Sequence, residues 1–128
     1  MERLLAVGLG GLGGTLCRYL LSGWVARRYG ESFPAGTLVV NLTGCLLIGF
    51  LYHLLEERLL IDPILRTGIL IGFLGAFTTF SSYGLQTFTL LRDGEFLWSG
   101  AYILASNLGG LALVWIGYML ARTLTVTS

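Results

Sequence analysis

Most charged side chains in this sequence cluster in short intervals around four long apolar stretches, and that spacing limits the fold more than any other feature. The stretches run from about Leu4 to Ala26, Pro34 to Leu55, Ile64 to Leu91 and Phe96 to Ala121. About 20 mostly apolar residues are enough to cross the hydrocarbon core of a bilayer. Between them lie Arg27 to Glu31, Glu56 to Pro63 and Arg92 to Glu95, where charges and turn formers collect. In lipid a spanning segment must satisfy its own backbone, so each stretch is predicted to be a helix. The N-terminal stretch has a weakly charged start and no small-residue cleavage site, so it is expected to be retained as the first span. The expectation is an all-α integral membrane protein, one four-helix domain over residues 1–128.

The third stretch is longer than one crossing needs, and residues 72–84 within it read GFLGAFTTFSSYG. Glycine loosens a helix, and Ser and Thr hydroxyls compete for its backbone hydrogen bonds. Irregular backbone at membrane depth survives only where it is buried in protein or lines a polar cavity. The third helix is therefore predicted to be broken in the middle of the membrane, with the break as the functional centre.

Composition and charge exclude several classes. Residues are 55% hydrophobic and 12% charged, too few charges to cover a soluble domain of this size. The net charge is +1 and there is no basic run, which gives no sign of nucleic-acid binding. Cys17 and Cys45 have no metal-like spacing and are expected to be reduced, buried small side chains. No phosphate-binding loop, His-rich metal motif or nucleophile–base pair is present, so no enzyme is expected. His53 is expected to be an interfacial side chain.

Orientation is nearly undetermined. With four spans, Arg3, Arg58, Arg66 and Arg122 fall on one side, and Arg27, Arg28 and Arg92 on the other. Four against three gives the positive-inside rule almost no preference, which permits insertion either way up. Two inverted copies would then build the inverted repeat that many transporters hold in one chain. The pairs Gly10/Gly14, Gly68/Gly72 and Ala105/Gly109 favour close helix contacts, within the chain or between chains.

Polar groups inside the spans indicate the cargo. Asn41 and Thr37 lie in the second span; Thr78, Thr79, Ser81 and Ser82 fill the break; Tyr102, Ser106 and Asn107 lie in the fourth, and Arg18 in the first. No Asp or Glu lies in any of the four stretches, whereas cation pathways usually place a carboxylate at depth. Amides, hydroxyls and one guanidinium are donors, and donors suit a small anion. The ring edges of Phe80 and Tyr83 carry positive potential and suit it too.

At these residues the chain resembles a known family, the small Fluc or CrcB fluoride channels. The likeness rests on residues 10–19 (GGLGGTLCRY), on 34–44 (PAGTLVVNLTG) and, most specifically, on 72–83 (GFLGAFTTFSSY). The resemblance implies an antiparallel, dual-topology homodimer in the inner (plasma) membrane, with two pores exporting fluoride passively. It implies that backbone carbonyls of Gly75 and Thr78 hold a structural Na+ at the dimer centre. Asn41 would offer its amide to fluoride, Phe80 and Tyr83 their ring edges, and Tyr102 and Ser106 a polar track. Thr79 and Ser82 would join the pore-lining hydroxyls, and Arg18 would shape a vestibule or anchor the fold. Two positions depart from the pattern. Gly110 stands where the track would carry a hydroxyl, and Tyr83 stands in place of the family's phenylalanine. For the added Tyr83 hydroxyl three outcomes are open: donation to fluoride, overly tight binding, or obstruction.

Two other readings compete. A small multidrug-type dual-topology exporter matches in size and charge balance but needs a glutamate in the first helix, and none follows Glu2 there. A non-transporting structural membrane subunit would leave the Asn, Ser and Thr set as packing contacts.

Overall fold

The computed structural model describes residues 1–30, 32–59 and 61–126; Glu31 and Leu60, both expected in connections, lie outside the described residues. Helix α1 covers Glu2–Tyr29. Helix α2 covers Ala35–Tyr52 and runs on as a π-helical turn, His53–Arg58. Helix α3 comprises Pro63–Thr67, a π-helical Gly68–Phe73 and Leu74–Phe77. Helix α4 is Phe80–Arg92. Helix α5 runs through Phe96–Leu104, a π-helical Ala105–Gly109 and Gly110–Val126. Taken together these give four helical spans long and apolar enough to cross a membrane, with α3 and α4 sharing the third.

Helix ends follow local chemistry. Arg27 and Arg28, expected in the first connection, form the last turn of α1, where cations favour the helix C-terminus. Gly30 then ends it with φ 85°, a conformation that suits glycine. Glu56 and Glu57, expected in the second connection, are helical as well, with Glu56 paired to Arg66 of α3 at 2.9 Å and Glu57 held by the end of α5. The Tyr118 hydroxyl donates to Glu57 Oε2 at 3.0 Å, and Arg58 donates to the Thr125 carbonyl at 2.6 Å. His53 is buried in the same group, contacting Glu57 Oε2 at 2.7 Å and Thr125 Oγ1 at 3.0 Å. It ties α2 to α5. Asp62 caps α3, accepting from the N–H groups of Ile64 and Leu65, with Pro63 at the first helical position. Beyond α4, Arg92 Nε donates to Asp93 Oδ1 at 2.8 Å and holds that carboxyl below its ordinary range.

Packing uses the small residues. The longest interhelical contacts join α2 to the last part of α5, and α1 to α3. At the α1–α3 crossing Gly10 and Gly14 face the Gly68–Phe73 segment, and a Cβ at Gly14 would run into the Phe73 carbonyl. The pairs Gly10/Gly14 and Gly68/Gly72 thus meet within one chain. Gly14→Val is expected to cost about 1–3 kcal/mol by overpacking, read as early melting in detergent. Gly8→Ala, with nothing within 4 Å of its Cβ, should leave melting unchanged. Equal melting of the two variants would contradict this crossing.

Candidate functional site

Between α3 and α4 the backbone leaves the helical path for two residues. Thr78 (φ −82°, ψ 159°) and Thr79 (φ −148°, ψ 119°) are both extended. Asn41 on α2 holds this interruption in place. Its Oδ1 accepts from the Thr79 N–H at 2.8 Å, and its Nδ2 donates to the Thr79 carbonyl at 2.9 Å. One amide hydrogen of Asn41 is left over from this clamp. One turn along α2, Gly44 makes room for the Thr78 methyl group, where any Cβ would collide. Thr79 also caps α4: its Oγ1 accepts from the Ser82 N–H at 3.3 Å and donates to Ser82 Oγ at 3.1 Å.

The interruption releases the carbonyls at the end of α3, those of Gly75 and Thr78 together with Ala76 and Phe77 between them. In a continuous helix the N–H groups of Thr79 and Ser82 would be donated to the carbonyls of Gly75 and Thr78, four residues earlier. Here they go to Asn41 and to the Thr79 hydroxyl instead. Gly75 is exposed, with nothing within 4 Å of where its Cβ would be. Released carbonyl oxygens are the ligand type that a hard cation prefers, and Gly75 is the exposed one of the two residues the resemblance assigns to it.

A cavity of about 380 Å³ opens beside the interruption. Its lining includes Asn41, Gly75, Thr78, Thr79, Phe80, Tyr83, Ser106 and Asn107, with apolar side chains such as Ile48, Leu70 and Leu74 beside them. Phe80 is 82% exposed, and its ring lies 5.5 Å from that of Tyr83, tilted by 44°. The Ser106 hydroxyl is buried and has no partner among the described residues. Gly110 has a steric account: a Cβ there would sit 3.2 Å from Cys45 Sγ, so a serine at this position would crowd that sulfur.

The structure does not bring every expected residue to this cavity. Tyr102 is fully buried behind it, its ring 5.3 Å from Tyr83 and 5.6 Å from Phe33, and its hydroxyl donates to Gln86 Oε1 at 2.9 Å. Arg18 and Ser82 border a second, more polar cavity of about 290 Å³ with Thr15, Ser22 and Thr37. Thr79 borders both cavities, so the interruption separates them. Sequence reasoning missed Gln86, and it placed Gly44 in a motif and Asn107 in the polar set without finding what they pair with. Asn107 Nδ2 donates to Tyr83 Oη at 3.0 Å, a pairing across 24 positions that no spacing rule signals.

The family model described as CrcB-like protein, Camphor Resistance (CrcB), matches residues 5–118. The chain is 50% identical over 119 residues to the fluoride-specific ion channel FluC of Trichormus variabilis, covering 92% of this chain and 87% of that protein. It is 48% identical over 124 residues to the protein of the same name from Geobacter metallireducens, covering 97% and 100%. A further FluC, from Stutzerimonas stutzeri, is 48% identical over 117 residues, covering 91% and 94%.

Proposed function

The chain belongs to the CrcB family, and from that membership we propose that it conducts fluoride passively through two pathways in an antiparallel homodimer. It is a fluoride channel of the inner membrane with several spans, and not an enzyme. The observation that carries the pathway is the cavity at the Thr78–Thr79 interruption, where unspent donors and ring edges meet without a carboxylate. We place the interruption at mid-membrane, because it falls within the third apolar span and α2 satisfies its backbone.

Fluoride entering a narrow path gives up water and needs replacement donors weak enough to release it. The remaining amide hydrogen of Asn41, the Ser106 hydroxyl and the edges of Phe80 and Tyr83 supply this around the path. Thr79 and Ser82 hold the backbone at the boundary between the two cavities, with Arg18 drawing anions toward the second. Tyr102 supports the Tyr83 ring from behind. A second, inverted copy would cover the exposed Phe80 and Gly75 face. Na+ held by the Gly75 and Thr78 carbonyls of both copies would neutralise the carbonyl dipoles gathered there.

Passive conduction separates this reading from coupled export. Fluoride efflux from proteoliposomes should require parallel valinomycin-mediated K+ efflux and should persist without a proton gradient. Efflux that proceeds without charge compensation would contradict electrodiffusion. Inverted pairing is tested by labelling a cysteine introduced at the C-terminus of Cys17→Ala, Cys45→Ala protein. Both sides of the membrane should label it, and labelling from one side alone would exclude the antiparallel pair.

A further inference from the structure

The Tyr83 hydroxyl has a dedicated partner, and the chemistry of that partner fixes the direction of the bond. Asn107 Nδ2 lies 2.8 Å from the Ile103 carbonyl and 3.0 Å from Tyr83 Oη. A carbonyl oxygen only accepts, so the atom facing Ile103 must be the NH2 group and not the amide oxygen. The same NH2 group reaches Tyr83. Because an amide nitrogen does not accept, the phenol oxygen is the acceptor. Both amide hydrogens are thereby committed, one to the α5 backbone and one to the tyrosine.

We propose that Asn107 is the positioning residue for Tyr83, anchoring its hydroxyl so that the ring keeps one pose in the cavity wall. This rests on reading that cavity as the anion pathway. The α5 backbone fixes Asn107, Asn107 fixes the phenol oxygen, and the rings of Phe80 and Tyr102 at 5.5 and 5.3 Å bracket the tyrosine. A phenylalanine at this position needs no such anchor. With the anchor removed, the phenol oxygen loses its donor. The other unspent hydroxyl in the cavity wall is that of Ser106. A tyrosine turning toward it would place its hydroxyl across the path.

A pair of substitutions tests this by suppression. Tyr83→Phe keeps the ring edge, removes the hydroxyl and sets the reference rate for a ring that needs no anchor; the double variant is compared with it. Asn107→Leu, at an exposed position, should lower efflux about tenfold, the scale of one hydrogen bond left unmade. Adding Tyr83→Phe to Asn107→Leu should restore efflux, because the group needing the anchor is gone. If Asn107→Leu conducts normally, or if the double variant stays as slow as Asn107→Leu, Asn107 does not act through Tyr83. Raman spectroscopy tests the bond separately from transport. The tyrosine Fermi doublet should lose accepting-phenol character in Asn107→Leu relative to the parent, and an unchanged doublet would overturn the assignment. A parent protein that carries no fluoride would sink the pathway reading, while the doublet would still decide the anchor.

Discussion

Fluoride efflux through Phe80→Ile is expected to fall to the background of protein-free vesicles. Phe80 is the most exposed ring in the cavity wall, 82% accessible in the single chain, so its contribution to folding one copy is small. Isoleucine keeps an apolar side chain there but removes the positive ring edge that partly replaces water around an anion. A fluoride ion that gives up water without replacement meets a steep barrier. Cys17→Ala, at an exposed position on α1 away from the cavity, should conduct normally. Equal loss in both variants would mean that the ring edge has no part in conduction.

The second large effect is expected at Asn41, where the two side-chain atoms have opposite tasks. Asn41→Asp keeps an acceptor for the Thr79 N–H but sets a carboxylate oxygen against the Thr79 carbonyl, now bonded at 2.9 Å. That repulsion, with a negative charge beside an anion path, should lower efflux about tenfold or more, as expected for a part-buried bond turned unfavourable. Asn41→Leu removes both bonds and should also lower the melting temperature, because the interruption loses its tie to α2. Efflux from Asn41→Asp that matches the parent would show that the clamp and the path are independent. Tyr83→Phe offers the contrast, since it alters the same cavity without touching the clamp.

Much of this arrangement was legible in the sequence, because membrane folding imposes simple rules. Four apolar stretches bounded by charges became four helical spans, since no other backbone arrangement of that length satisfies itself in lipid. The run of Gly, Thr and Ser at 72–84 marked the place where the helix is interrupted, because those residues weaken the helical ladder. The π-helical turns at His53–Arg58, Gly68–Phe73 and Ala105–Gly109 were not legible. Such turns answer to packing between elements, as at Gly68–Phe73 where the α1 backbone comes close. The turn at Ala105–Gly109 also changes the register of α5. The resemblance set Tyr102 and Ser106 in one polar track. In the structure Tyr102 is buried against Phe33 and Gln86, while Ser106 borders the cavity. The Arg27–Arg28 and Glu56–Glu57 boundaries were misplaced because charge was taken as a mark of loops. Both pairs lie in helical turns, the first suited to a helix C-terminus and the second engaged by partners on other helices.

Parallel efflux of fluoride and chloride from vesicles holding the purified protein, each read with an ion-selective electrode, tests the central claim most directly. Fluoride should leave rapidly once charge is compensated, while chloride should leave little faster than from protein-free vesicles. Fluoride efflux no faster than from protein-free vesicles, or chloride efflux at a matching rate, would contradict a fluoride-selective path at the Thr78–Thr79 interruption.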